Sequence, residues 1–167
     1  ASPNMIALCH WNAHVDNAWF WRDDEQQLQC GLMDWGNVSQ MNVAMALWGC
    51  LSAAELSLWD DHLDELLDLF VSEFTSVSGV ALEPATLSLH LSAYVAMMGI
   101  EWMLDAPALI LKKVPDLADT QGLLDERIQR SERARSQLLI LSVFLNLWHK
   151  TDMEQVIAAL EPFDQAS

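Results

Sequence analysis

The sequence predicts an α+β domain, mainly α, in which a short β-hairpin is followed by a helical bundle. Period-two alternation of apolar and polar residues is confined to residues 15–35, and stripes of helical period dominate from Met41 onward. No stretch rich in Gly, Pro or Ser divides the two, so the chain reads as a single domain over 1–167, with a loop-and-hairpin segment (1–36) and a helical part (37–167). Of 167 residues, 52% are hydrophobic with only 6 Gly and 5 Pro, which excludes collagenous, disordered and low-complexity classes. One core of this length buries roughly two thirds of the unfolded surface, so disulfide staples are unnecessary. Cys9, Cys30 and Cys50 then read as reduced thiols of a cytoplasmic protein. The longest apolar runs, Leu87 to Ile100 and Leu138 to Trp148, fall short of the roughly 20 residues that cross a bilayer, so no membrane partner is expected.

In chain order, Val15, Ala18, Phe20 and Trp21 lead into Arg22-Asp23-Asp24-Glu25, and Leu28, Cys30, Leu32 and Met33 follow. This is a hairpin with a polar turn near Asp23 to Gln26, although the turn has no Gly. Met41, Ala44, Met45 and Trp48 share one helical face, with Gly49 as its stop. Ser52 and Glu55 form a capping box for a long helix with the stripe Leu56, Trp59, Leu63, Leu66, Leu67, Phe70, Phe74 and Val77, which Gly79 ends. Pro84 opens a third helix through Leu104, and Asp105 and Pro107 close it. A connection to about Gly122 precedes a long helix from about Asp125 to Trp148, whose segment Leu138 to Trp148 is apolar nearly all round and is expected at the centre of the bundle. Thr151 and Glu154 cap a last helix ending near Pro162.

Charge narrows the partners. The net charge is −16, and it is uneven: up to residue 111 the single base Arg22 faces 15 acids, whereas the remainder holds 7 bases and 9 acids. Such a field repels nucleic acid and anionic lipid, and it favours a cationic small molecule. Arg127, Arg130, Arg133 and Arg135 alternate with Glu126 and Glu132, the pattern of a salt-bridged helix surface.

Polar chemistry gathers in His10-Trp11-Asn12-Ala13-His14-Val15-Asp16-Asn17 and again in Asp34-Trp35, on either side of the hairpin. This spacing resembles the catalytic segment of the aminoglycoside phosphotransferase and choline kinase-like family, a branch of the protein-kinase-like fold. There the pattern runs roughly H-G-D-x-H-x-x-N, a short strand pair, I-D-W or I-D-F, then a helical lobe. The likeness is close over residues 5–50 and follows the rest only in outline. It implies the C-terminal lobe of a phosphotransferase that moves a phosphoryl group from ATP, or another nucleoside triphosphate, to a small-molecule hydroxyl. By resemblance, Asn17 and Asp34 would hold Mg²⁺ and bridge it to the nucleotide phosphates, His10 and His14 would brace the loop, and Trp35 would pack beside Asp34.

The departures are equally informative. Asn12 stands where the family has its catalytic Asp, and an amide accepts no proton at neutral pH. The G-D-P segment and following Asp of the family are replaced by Met41-Asn42-Val43 and Ala46. Lys112, Lys113 and Lys150, the only lysines, lie far downstream, and no phosphate-covering loop is present, so an N-terminal nucleotide-binding lobe is expected to be absent from this chain. The opening Ala1-Ser2-Pro3-Asn4 reads as a cut end. That lobe is then the first expected partner, and self-association of the fragment through residues around Trp19 to Trp35 is the second. The alternative function is a catalytically impaired, pseudokinase-like scaffold, and a purely structural acidic helical domain is a third.

Competing patterns are weaker. Asn12-x-His14-x-Asp16-Asn17 matches a metal-hydrolase ligand run at only two of four positions, and His62 and His90 lie within helices. Asp60, Asp61, Asp64, Glu65 and Asp68 form a solvated helix face, or the border of a pocket for an amine-bearing acceptor. The eight Trp residues mostly fall on apolar stripes and read as core, except Trp11, which occupies the family's Gly position and would shape the site.

Overall fold

A computed structural model describes residues 3–160. Its architecture is mainly helical, with short antiparallel strands at the start. The strands are β1 (Ile6–His10), β2 (Ala18–Arg22), β3 (Leu28–Leu32) and β4 (Val38–Asn42). The helices are α1 (Val43–Leu51), α2 (Leu56–Asp61), α3 (Leu63–Ser78), α4 (Pro84–Met103), α5 (Ala106–Lys113), α6 (Glu126–Gln129), α7 (Glu132–Lys150) and α8 (Met153–Leu160). Among the described residues no single helix is long and apolar enough to cross a membrane.

Packing divides the chain into two compact units. The first runs to Leu51 and resumes over Leu66–Leu91, and the second takes Ser52–Glu65 and the described residues from Ser92 on. The chain passes between the units three times, once at the end of α1 and twice within helices, since α3 and α4 each begin in one unit and end in the other.

In the first unit one hairpin sits inside another pair. β2 and β3 pair antiparallel with Ala18 opposite Leu32 and Arg22 opposite Leu28. Outside them β1 pairs with β4, His10 opposite Val38 and Ile6 opposite Asn42. The turn Asp23–Gln27 needs no Gly because the Asp23 carboxylate organises it, accepting from the backbone N–H of Glu25 at 3.0 Å and of Gln27 at 2.9 Å. Gln26 takes the left-handed conformation there, at φ 63°. A glycine appears instead within β3, where the Trp19 ring lies across Gly31; a Cβ at Gly31 would sit 2.2 Å from that ring.

The outer pair corrects the sequence reading. Val38–Asn42 is strand, not the approach to a helix, and α1 begins only at Val43. Asn42 caps it: its side-chain carbonyl accepts from Ala44 N–H at 3.0 Å, and its amide nitrogen donates to His90 Nδ1 on α4 at 2.9 Å. Gly49 is not a stop, since α1 continues through it to Leu51.

Other helix ends also differ. The long acidic helix is broken at His62 into α2 and α3, and Ser52 makes no capping box, because Glu55 is the N-cap of α2. Gly79 does end α3, at φ +70°, and Pro84 does open α4. Pro107 belongs to the first turn of α5, so it opens a helix as well as closing one. The helix expected from Asp125 is two, α6 and α7, with Ser131 capping the second through Ala134 N–H. Thr151 terminates α7, and Asp152 rather than Thr151 serves α8, accepting from Gln155 N–H. Pro162 lies outside the described residues.

In the second unit α7 is the central element, packing on α2, α5 and α6. Val114, Ile128 and Ala134 form a small core with Leu117 and Leu138 against it. Gly99 on α4 admits the Phe144 ring, which a Cβ would meet at 2.0 Å. The stretch Leu138 to Trp148 is one-sided and not buried all round: Val143 and Phe144 are buried, whereas Leu145 and Trp148 are exposed. The tryptophans do not form the core as a group either. Trp48 and Trp59 are buried, but Trp19, Trp21, Trp35, Trp102 and Trp148 are exposed.

Candidate functional site

The nested strands bring the two polar segments together. β1 ends at His10 and β2 begins at Ala18, so the intervening loop crosses the mouth of the inner hairpin; β3 and β4 flank Met33 to Asn37 on the same side. The loop closes on the second segment by the Met33 N–H donating to the Asn17 carbonyl at 2.9 Å.

His10 is buried and ties three places together. Its Nε2 lies 2.8 Å from the Met33 carbonyl and its Nδ1 accepts from Asn12 N–H at 3.2 Å. A carbonyl only accepts, so the ring carries its proton on Nε2. The Trp35 ring meets the His10 ring edge-on at a centroid distance of 4.9 Å, and Trp35 Nε1 donates to the Leu32 carbonyl at 3.0 Å. His14 acts more locally: its Nδ1 accepts from Asp16 N–H at 3.2 Å and caps the turn Val15–Asn17. The Asp16 carboxylate stays exposed, 3.8 Å from the same nitrogen.

Asn17 is half-buried, and its Nδ2 donates to the Asn12 carbonyl at 2.9 Å. That bond fixes the amide plane and leaves Oδ1 as the end available to a ligand. Asp34 is exposed and left-handed, at φ 58° and ψ 56°, although it is not Gly. Such a conformation costs of order 1 kcal/mol, and Asp is one of the few residue types that tolerates it. Asp34 heads the turn Trp35–Asn37 but makes no side-chain capping bond to it, so the carboxylate is not consumed by the backbone. A Cβ at Gly36 would lie 3.5 Å from Asp34 Oδ1, ordinary contact, so Gly36 is not what makes room for it.

His10, Asn12, His14 and Asn17 thus share one hydrogen-bonded loop, and Asp34 stands next to the residue that closes it. Three contributors were not singled out in the sequence. The Met33 backbone latches the loop from both sides. Gly49 lets α1 approach so closely that a Cβ there would fall 1.7 Å from the Trp11 carbonyl oxygen. Cys50, on the same helix, places its thiol 3.1 Å from the Ala13 carbonyl. Only the Gly within an otherwise regular apolar helix left a mark in the sequence.

Among the described residues no three His, Cys, Asp or Glu side chains gather as a metal cluster. The donor set suits a different ion. One carboxylate and one amide oxygen match a hard cation that keeps several waters and takes its other ligands from phosphate. Asn17 Oδ1 and the Asp34 carboxylate are oxygen donors of that kind.

Elsewhere, charged groups are paired by surface bridges. Asp60 accepts from Lys150 and from Asn146, and Arg127 joins Asp116, Asp125 and the Asp119 carbonyl. The Arg127 guanidinium holds the Asp125 carboxyl well below the usual carboxylate range. The acidic residues Asp60, Asp61, Asp64, Glu65 and Asp68 are all exposed.

No protein family, no curated protein and no solved structure matches this chain.

Proposed function

We propose that this chain is the helical C-terminal lobe of a phosphotransferase-like protein acting on a small-molecule hydroxyl. The observation that supports it above all is the latch His10–Met33–Asn17, which sets the Asn12 loop beside Asp34. Asn17 and Asp34 would hold Mg²⁺, which, when bound with a nucleoside triphosphate, neutralises charge on the phosphates. The chain's own residues do the rest. His10 keeps the loop in register with Met33, Asn17 donates through Nδ2 to the Asn12 carbonyl and so keeps Oδ1 free of that bond, and Asp34 heads the turn Trp35–Asn37 with its carboxylate making no cap bond.

In the transfer, a bond forms between the acceptor oxygen and the γ-phosphorus as the bond to the nucleoside diphosphate breaks. Asn12 would orient the acceptor hydroxyl by a hydrogen bond, and the proton would leave to solvent, since an amide cannot retain it. A loose transition state tolerates this, because little negative charge is demanded of the nucleophile. Asn12 also favours the second reading, a non-catalytic scaffold with the same loop.

The exposed hairpin, with Phe20 at 55% and Leu28 at 64% exposure, is where a nucleotide-cradling N-terminal lobe would dock. A cationic acceptor suits the acidic first two thirds, and three cysteines without disulfides suit the cytoplasm. The full chain should bind Mg·ATP weakly by itself.

Paramagnetic broadening tests the site at millimolar affinity. With Mn²⁺ and ADP added to the full chain, amide signals of residues 16–18 and 33–35 should broaden first, and Asp34→Asn should abolish this. Broadening centred on Asp60 to Asp68 instead, or unaffected by Asp34→Asn, would falsify the assignment.

A further inference from the structure

The first unit contains a cavity of about 360 Å³ that opens to solvent beneath the loop. Its walls come from β1, the loop, β3, α1 and α3, and most are apolar, Leu47, Phe70 and Phe74 among them. Three lining side chains carry heteroatoms, and each is already engaged. Cys50 Sγ lies 3.1 Å from the Ala13 carbonyl, Cys9 Sγ 3.5 Å from the Ala7 carbonyl, and both His10 ring nitrogens are bonded within the loop. Burial pushes both thiols up, so little of either is thiolate at neutral pH and neither draws a cation. A ligand entering here would therefore find shape and dispersion contacts but no partner for a charge.

We propose that this cavity is a binding site for an uncharged, predominantly apolar small molecule of about a dozen non-hydrogen atoms, a size that follows from roughly 30 Å³ per atom in a condensed phase. A medium-length alkyl chain or a fused aromatic ring system meets that description. A carboxylate or amine at the buried end would be left without a hydrogen-bonding partner and is disfavoured. Because His10, Ala13 and Leu32 form part of the wall, occupancy also bears on the loop that carries Asn12 and Asn17. The site does not depend on what chemistry that loop performs.

The cysteines supply the test. Cys9 and Cys50 line the cavity, while Cys30 is exposed on β3 and does not. The full chain is labelled at about pH 9, where buried thiols begin to ionise, with methyl methanethiosulfonate, a small uncharged reagent, and each cysteine is followed by peptide mass. With 1-decanol at ten times its Kd, labelling of Cys9 and Cys50 should slow about tenfold while Cys30 is unaffected. Decanoate at the same concentration should protect far less. Equal protection of Cys30, equal protection by decanoate, or no protection at all would each overturn the proposal. So would Cys9 and Cys50 that fail to react without ligand, because another part of the polypeptide would then occupy the cavity. As an independent check, Ala46→Phe introduces a ring from α1 into the same space and should remove the rise in thermal midpoint that decanol gives the parent chain. A rise that persists in that variant would also overturn the proposal.

Discussion

The two units are held together by different kinds of bond. In the second, helices pack on α7 around Val143, Phe144 and the small core of Val114, Ile128 and Ala134, although Leu145 and Trp148 stay exposed, and charged groups are tied at the surface by Arg127 and Lys150. In the first, the centre of organisation is a loop, latched through His10, Asn17 and the Met33 backbone. Large apolar groups stay outside there: Val15 is 70% exposed, and Trp19 and Trp21 stack on each other at 5.9 Å in the open. Exposed apolar groups are common to both units; what differs is that one is tied by the polar bonds of a loop and the other by charge pairs on a helical frame.

The sharpest way to break that comparison is to add one methyl group to each unit. Gly49→Ala forces a Cβ onto a backbone carbonyl at 1.7 Å, and backbone cannot step aside, whereas Gly99→Ala meets the Phe144 ring, which can rotate. Overpacking costs about 1–3 kcal/mol, and Gly49→Ala belongs at or above the upper end. Urea denaturation should show a larger loss for Gly49→Ala than for Gly99→Ala, and only the former should shift amide signals of residues 10–17.

His10→Ala comes next. It removes two hydrogen bonds and leaves the Met33 carbonyl and the Asn12 N–H without their partner, a cost of about 1–3 kcal/mol. The fluorescence of Trp35 should change with it, since its ring rests on the imidazole. Retained stability with unchanged fluorescence would show that the loop does not depend on this latch.

Acid separates the units again. In the second, Asp116 and Asp125 titrate below their ordinary value because Arg127 donates hydrogen bonds to them. A carboxylate depressed by folding contributes stability above its unfolded pKa, near 3.9, and loses it as pH falls through the folded value. The loss should therefore appear only below about pH 4, and Arg127→Met should flatten it. In the first unit His90 is lowered, chiefly by burial, and holds the Asn42 amide. Folding resists its protonation, so its contribution is intact above the ordinary histidine value, near 6.5, and falls as pH drops below it. Thermal midpoints between pH 7.5 and 5.5 should decline in the parent chain and less in His90→Gln.

The smallest expected effect is on association. Trp21→Ser should weaken any concentration-dependent dimerisation measured by light scattering, because it reduces the exposed apolar face around the hairpin. A parent chain that stays monomeric at high concentration would argue that this face is too small or too curved to pair with itself.

Much of the first unit could be read locally. The inner hairpin, its polar turn and the residues of the loop follow from alternation and spacing within 20 residues. The pair β1–β4 was missed because its partners lie far apart in sequence, although Val38-Ser39-Gln40-Met41-Asn42 does alternate. The helix breaks at His62 and Ser131 were hidden for another reason. Both fall where the stripe continues in phase on either side; at Ser131 a single side-chain cap decides the break, and at His62, the C-cap of α2, no residue of breaker type stands out. The tryptophans misled because hydrophobicity states a preference for burial, whereas a two-stranded sheet has too little neighbouring structure to supply it.

The nesting of one hairpin inside another strand pair has a kinetic consequence. Bringing His10 to Val38 from an open chain closes a loop roughly five times longer than bringing Arg22 to Leu28, an entropic difference of about 1.4 kcal/mol. Once the inner hairpin has formed, only two short connections remain to be closed, and the outer strands can zip from the inside. The loop of His10 to Asn17 therefore takes its final shape at the second stage, so its hydrogen-bond protection should arise later in refolding than that of the Asp23 turn.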